Sequence, residues 1–191
     1  VFCRRPRDAA DDGATEVLVD GNAEAEGRTF FKIGGCDHSA DHAHIAYAVD
    51  LRGSEIFDIA LRRAGETADL DERITGASGN LVWAADNRTL YYTVRDANLR
   101  PHRVMRHHLG SDPAADENVF EATDPGLFVD ITATDSDRFV VIDVHDHVTS
   151  EVYLLDGFDA GAAPRLVAPR RPEVKYLVED WRDQLLIRTN A

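Results

Sequence analysis

Apolar and polar positions alternate along most of this chain in short runs, and the runs stop at clusters of Asp, Asn, Gly or Pro. In Leu81–Asp96, an apolar run ends at Ala85-Asp86-Asn87-Arg88 and a second apolar run follows it. Period-two alternation bounded by turn residues marks half-buried antiparallel strands, so the stretch reads as strand, turn, strand. Apolar residues three and four apart, which an amphipathic helix requires, do not recur, and no helix is expected.

The pattern returns along the chain. Ala40-Asp41-His42-Ala43-His44-Ile45-Ala46-Tyr47 aligns without a gap to Ala85–Tyr92, 45 positions later. Thr134–Val141 is the next copy, with Phe139 placed 49 positions after Leu90, and Asp180–Ile187 is a fourth, with Leu185 another 46 on. A third strand follows in each full copy, at Ile56–Leu61, His102–Leu109 and Ser150–Leu155, and then a short fourth strand at Arg73-Ile74, Asn118-Val119-Phe120 and Arg165-Leu166-Val167. Four short strands per 45 to 49 residues match the repeat of a β-propeller blade. One such blade cannot bury both of its faces, so its stability has to come from stacked neighbours.

The expected fold class is therefore all-β, a partial β-propeller of four-stranded antiparallel blades forming one incomplete domain over residues 1–191. Residues 1–35 hold entry strands, 36–80, 81–127 and 128–173 are blades, and 174–191 begin the next. The chain starts at Val1, without Met, inside the apparent strand Val1-Phe2-Cys3, which reads as a piece of a longer protein. Its outermost blades are expected to present apolar faces and unpaired edges that favour self-association.

Composition narrows the class of partners. With 191 residues, 43% of them hydrophobic, the chain can bury a sizeable core. A net charge of −14 argues against phosphate-directed nucleic-acid binding, which needs clustered Lys and Arg. No window has the apolar length of a membrane span, and no signal peptide is recognisable, so no membrane partner and a cytoplasmic location are expected. Cys3 and Cys36 are accordingly expected as free thiols.

Several of these runs carry a family resemblance. Glu16–Asn22, Phe30–Gly35, Ser39–His42, Asp50–Glu55, Val82–Tyr92, Arg106–Pro113 and Thr149–Asp156, in that order, resemble the propeller of the oligopeptidase B (protease II) branch of the prolyl oligopeptidase family of serine peptidases. The likeness covers essentially the whole chain. It implies a parent protein in which a seven-bladed propeller lids an α/β-hydrolase domain, with cleavage of short peptides after Lys or Arg. The chain would be the first half of that lid, partnered by a C-terminal hydrolase domain and by short basic peptides, with no cofactor. The resemblance also implies that the Ser, Asp and His of the triad lie in the hydrolase domain, so the chain by itself is expected to be inactive. The position matching Glu55 faces the hydrolase domain in the family, which makes Glu55 a candidate interdomain contact against the alternative of an ordinary solvated loop acid.

The remaining candidate chemistry reads as structural. Gly76-Ala77-Ser78-Gly79 lacks the second spacing of a nucleophile elbow and reads as an inter-blade loop. His38, His42 and His44 straddle a turn, and His145 and His147 follow a strand; a metal site needs three or four converging ligands, so both clusters read as solvated turn residues. His107 and His108 point to opposite faces of a strand. Asn87-Arg88-Thr89 matches a glycosylation acceptor but reads as a turn, and Trp83, Trp181, Tyr91, Tyr92, Phe139 and Tyr153 read as packing between blades. No matching series of acidic or His positions suggests a central metal. A non-catalytic propeller scaffold is the alternative from a different class.

Overall fold

The structure, a computed structural model, describes residues 1–6 and 15–191. Two short strands, β1 (Phe2–Arg4) and β2 (Glu16–Val19), pair antiparallel and are followed by a five-residue helix, α1 (Gly21–Ala25). The part of the expected entry segment between 7 and 14 lies outside the described residues. The helix departs from the all-strand expectation. Asp20 caps it by accepting a hydrogen bond from the Asn22 N–H at 2.9 Å, and one capped turn is too short to leave a periodic signal.

Strands β3 (Lys32–His38), β4 (His44–Asp50), β5 (Phe57–Arg63), β6 (Asp69–Trp83), β7 (Thr89–Arg95), β8 (Pro101–His108) and β9 (Glu117–Glu121) form one antiparallel sheet of seven strands. A sheet of four follows, β10 (Phe128–Ala133), β11 (Phe139–His145), β12 (Ser150–Asp156) and β13 (Arg165–Ala168), and the pair β14 (Tyr176–Trp181) and β15 (Gln184–Thr189) comes last. The protein is thus a partial β-propeller of curled antiparallel sheets, with seven and four strands in place of uniform four-stranded blades.

The seven-stranded sheet arises because β6 serves two units. Asp69–Ala77 pairs with β5, and Ala77–Trp83 pairs with β7. Gly76-Ala77-Ser78-Gly79 is therefore the bend of a continuous strand, not a loop. Gly76 and Gly79 take φ of 80° and 97°, values open to glycine, so the strand turns from one unit to the next without ending.

The hairpins between first and second strands correct the repeat register. Ile45, Leu90 and Val140 occupy equivalent places, each opposite the last residue of the preceding strand, His38, Trp83 and Ala133. Val140, and not Phe139, matches Leu90. Phe139 is the more apolar-looking start, but it is only half-buried whereas Val140 is buried. The left-handed residues His42, Asn87 and Asp137 mark the same turn in the first three units, while Arg182 is left-handed in a tighter hairpin where Trp181 pairs with Gln184.

Alternation buries both faces of the middle strands. On β4, Ala46 and Ala48 pack toward the second unit with Ile59, Leu61, Trp83, Leu90 and Tyr92. Ile45, Tyr47 and Val49 pack the other way, against Val19 of β2. On β11, Val140, Ile142 and Val144 face Tyr91 and Val104 of the second unit, while Val141 packs toward Tyr176 of β14. Trp83, Tyr91 and Tyr92 are core residues, as expected, but Trp181 is 54% exposed, with the Arg182 guanidinium 4.3 Å above its ring. Leu177, Leu186 and Ile187 of the same strand pair are also exposed, as are Val1, Phe2 of β1 and Val17 of β2.

Candidate functional site

The loops joining second to third strands share one construction. Asp50, Asp96 and Asp146 sit at or just past the end of β4, β7 and β11, and each carboxylate accepts hydrogen bonds from N–H groups two or more residues on, the arrangement of an Asx turn. Asp50 is buried and holds its loop most tightly. Its Oδ1 accepts from Arg52 and Gly53 N–H at 2.8 and 2.9 Å, and its Oδ2 accepts from Glu55 N–H at 2.7 Å. Burial alone would raise its pKa, but the N–H groups of Arg52, Glu55 and Gly53 outweigh it and hold the carboxyl below the usual carboxylate range.

Glu55 stands at the end of this loop with φ 59°, a left-handed conformation that costs a side-chain-bearing residue about 1 to 2 kcal/mol. Its exposed carboxylate lies 3.9 Å from Arg95 Nη1, across the junction between the first two units. Arg95 is anchored separately, donating to Leu99 O at 2.5 Å and Ser78 O at 3.5 Å. The loop therefore holds the Glu55 backbone in place, while its exposed carboxylate is only loosely paired.

Other sequence-selected residues are placed differently. Ser78 is buried and hydrogen-bonded to Thr93 Oγ1, a setting without the exposed hydroxyl and adjacent base of a nucleophile. The His38 and His42 rings meet edge to face at 4.7 Å, while His44 turns away to Trp83 with centroids 6.3 Å apart. Among the described residues no three ligating side chains converge. His145 and His147 both lie beside Phe128. Asn87 is a turn residue whose Oδ1 accepts from Asp41 N–H at 2.7 Å, tying two hairpins together. Cys3 and Cys36 are unpaired, and burial pushes the Cys36 thiol up to about 11.

Sequence reasoning missed one polar cluster entirely. His107 is fully buried, its Nδ1 2.7 Å from Asp116 Oδ1 and its Nε2 3.2 Å from Glu72 Oε2. Tyr92 donates to Asp116 Oδ2 at 2.8 Å, and Gly110 N–H donates to Glu72 at 2.7 Å. Strand alternation correctly separates His107 from His108, but its partners come from β6 and from the turn before β9, 35 and 9 positions away. No local pattern carries that information.

A propeller built this way, with paired loops on one face and turn-to-turn contacts on the other, is a recognised domain class, and the sequence agrees. Residues 1–191 match the family described as "Prolyl oligopeptidase, N-terminal beta-propeller domain". The chain belongs to that family. It is 33% identical to dipeptidyl aminopeptidase BI of Pseudoxanthomonas mexicana, covering 96% of this chain and 25% of that one. With Protease 2 of Moraxella lacunata it shares 30% identity over 94% of this chain and 26% of the other. Oligopeptidase B from Leishmania major superposes with a TM-score of 0.90 at 28% identity, over 98% of this chain and 27% of that structure. The closed form of oligopeptidase B from Trypanosoma brucei, with covalently bound antipain, gives 0.87 at 28% identity over the same shares. The chain thus spans about a quarter of the length of the peptidases it matches. No helix among the described residues is long and apolar enough to cross a membrane.

Proposed function

We propose that this chain is the lid segment of a cytoplasmic serine oligopeptidase that cleaves short peptides after Lys or Arg. The propeller restricts substrates by size and helps close a water-poor chamber over an α/β-hydrolase domain that performs the acyl transfer. The chain is one incomplete propeller domain and, without the triad, is silent on its own. The likeness to oligopeptidase B at a TM-score of 0.90 carries the reading, and the net charge of −14 agrees with cationic peptide substrates.

In this reading Glu55 is the interdomain contact. The Asp50 carboxylate fixes the Glu55 backbone, while the 3.9 Å pairing to Arg95 is weak enough to exchange for a cation of the hydrolase domain. A change of a few kcal/mol is enough to bias an equilibrium between open and closed lids. In the full-length enzyme, Glu55→Gln should lower kcat/KM for a Lys- or Arg-containing peptide by roughly three- to tenfold at low salt, with the difference shrinking as salt screens the pair. An unchanged kcat/KM at both ionic strengths would remove Glu55 from the latch.

A further inference from the structure

The buried cluster around His107 repeats one in the first unit. Ile45 stands opposite Arg62 on β5, and Leu90 stands opposite His107 on β8, so Arg62 and His107 hold equivalent places, 45 positions apart. Arg62 is buried between two carboxylates: its Nη2 donates to Glu24 Oε1 at 2.7 Å and its Nε to Asp69 Oδ1 at 2.8 Å. His107 lies between Glu72 and Asp116 in the same way. A tyrosine of the second strand completes each cage, Tyr47 donating to Asp69 and Tyr92 to Asp116, both at 2.8 Å. In the third unit the equivalent residue is Leu155, opposite Val140, and it lies in an apolar cluster.

The first cage encloses a permanent cation, because a guanidinium keeps its proton. The second encloses a ring that is charged only when protonated. Ionised carboxylates only accept hydrogen bonds, and a neutral imidazole has one N–H and one bare nitrogen. A neutral His107 therefore answers one carboxylate and turns a lone pair toward the other, where burial makes the unanswered contact costly. Among the described residues no Lys or Arg side chain lies within 4.0 Å of Glu72 or Asp116. His44, Arg63 and Asp71 line a groove of about 360 Å³ beside Glu72, with Arg63 turned to Glu66 at 3.9 Å. His108 faces Thr89 Oγ1 instead. Burial, the hydrogen bond to Asp116 and the Asp116 charge push the Tyr92 hydroxyl well above its ordinary value, so Tyr92 stays a donor.

We propose that the Glu72–His107–Asp116 cage holds one proton more than a neutral imidazole between two carboxylates, and that this proton latches the first two units together. Whether it rides on the ring or on a carboxyl, the count is the same, and the three groups bind it jointly. Glu72 belongs to the part of β6 in the first unit and His107 to β8 of the second, so the latch spans the joint. In an unfolded chain imidazoles are mostly neutral above about pH 6.5 and carboxyls are ionised. The closed joint then binds one proton more than the open one, so closure weakens as pH rises. Loss of the proton leaves two buried carboxylates without a cation and frees β8 from β6 beside the groove. The inference is independent of whether Glu55 contacts another domain.

Hydrogen exchange of the full-length protein, read by mass spectrometry and corrected for the intrinsic rate at each pH, tests it. Between about pH 6.5 and 9, peptides covering 101–116 should lose protection relative to those covering 57–63, which hold the permanent Arg62 cage, by up to about tenfold per pH unit. Glu72→Gln supplies an amide N–H to a bare ring nitrogen while its carbonyl accepts from Gly110, and Asp116→Asn does the same for the other ring nitrogen. In each variant a neutral ring is satisfied on both sides, so the ratio of the two segments should stay within about twofold over the whole range. If one amide variant is unprotected at every pH, the other decides. A constant ratio in the parent protein, or amide variants that keep the parent's slope, would overturn the proposal.

Discussion

Two junctions of the same arc solve the same packing problem in opposite ways. Between the first and second units, β6 runs unbroken from one to the other, and the backbones meet at glycines: a Cβ on Gly35 would lie 2.7 Å from Gly79 O. Apolar side chains from both units fill the seam, and its outer end is sealed by His107 between Asp116 and Glu72. Between the third unit and β14–β15, no strand is shared, the apolar cluster is smaller, and charged residues line an open cleft. The first joint is closed by a shared strand, apolar side chains and a hydrogen-bonded polar seal, whereas the last is lined by charged side chains with a smaller apolar cluster.

The comparison predicts unequal sensitivity to truncation. Leu61 is fully buried in the first seam, so Leu61→Ala should cost about 3 to 5 kcal/mol in denaturant unfolding. Val141, buried in the smaller cluster facing β14, should cost about 1 to 2 kcal/mol when changed to Ala. Equal costs would mean that the two joints are packed alike and that the cleft is closed in solution.

Next in size is the buried polar seal. His107→Leu keeps the volume but leaves Asp116, itself nearly buried, without its imidazole partner. The expected loss is roughly 2 to 4 kcal/mol. The double change His107→Leu with Asp116→Asn should recover part of it, because the stranded charge is gone. If the single variant is as stable as the parent, the cluster contributes nothing to the joint.

How much of this was readable in the sequence follows from the range of each interaction. The hairpins were legible because their turn residues are local, and Asp41, Asn87 and Asp137 announce them. Register in the third unit was misjudged by one because an aromatic at 139 outweighed a smaller Val140, and only the ladder to Ala133 settles it. β6 was misread as loop plus strand because glycine signals a break, yet here two glycines permit continuity. His107 and Asp143 look alike on paper, each a polar residue inside a strand, but their neighbours are set by sheets that meet in space. The Glu55 loop was legible from its Asp and Gly, while the Arg95 beside it, on β7 of the next unit, was not.

A smaller effect is expected where the second and third units join. Asn80 donates from Nδ2 to Ile131 O at 3.0 Å and accepts from Ile131 N–H at 2.8 Å, bridging two first strands. Asn80→Ala should cost about 1 to 3 kcal/mol because a half-buried backbone pair loses its partner. This places the middle joint between the other two. A cost near zero would show that water replaces the amide there and that the joint resembles the open one.

The smallest effect, and the one with a distinctive sign, belongs to the cleft. Desolvation raises the pKa of Asp143, with the His145 charge opposing, Asp130 reinforcing and the Lys175 charge again opposing the rise. A carboxyl whose folded pKa is raised binds its proton more readily in the folded than in the unfolded chain, so its contribution is most favourable at low pH and is lost as pH rises from the ordinary carboxylate value through the raised one. Asp143→Asn removes that penalty. At neutral pH the variant should be as stable as the parent or more stable by up to about 1 kcal/mol, and the difference should narrow as pH falls toward 4, the ordinary range of an aspartate. Asp50 shows the opposite dependence: its folded pKa is depressed, so its stabilisation is present above the ordinary value and fades as acid protonates it. Melting curves of both Asn variants across this range separate the cases. Destabilisation by Asp143→Asn at neutral pH would mean that the carboxylate is paired within the protein and that the third joint is closed like the first.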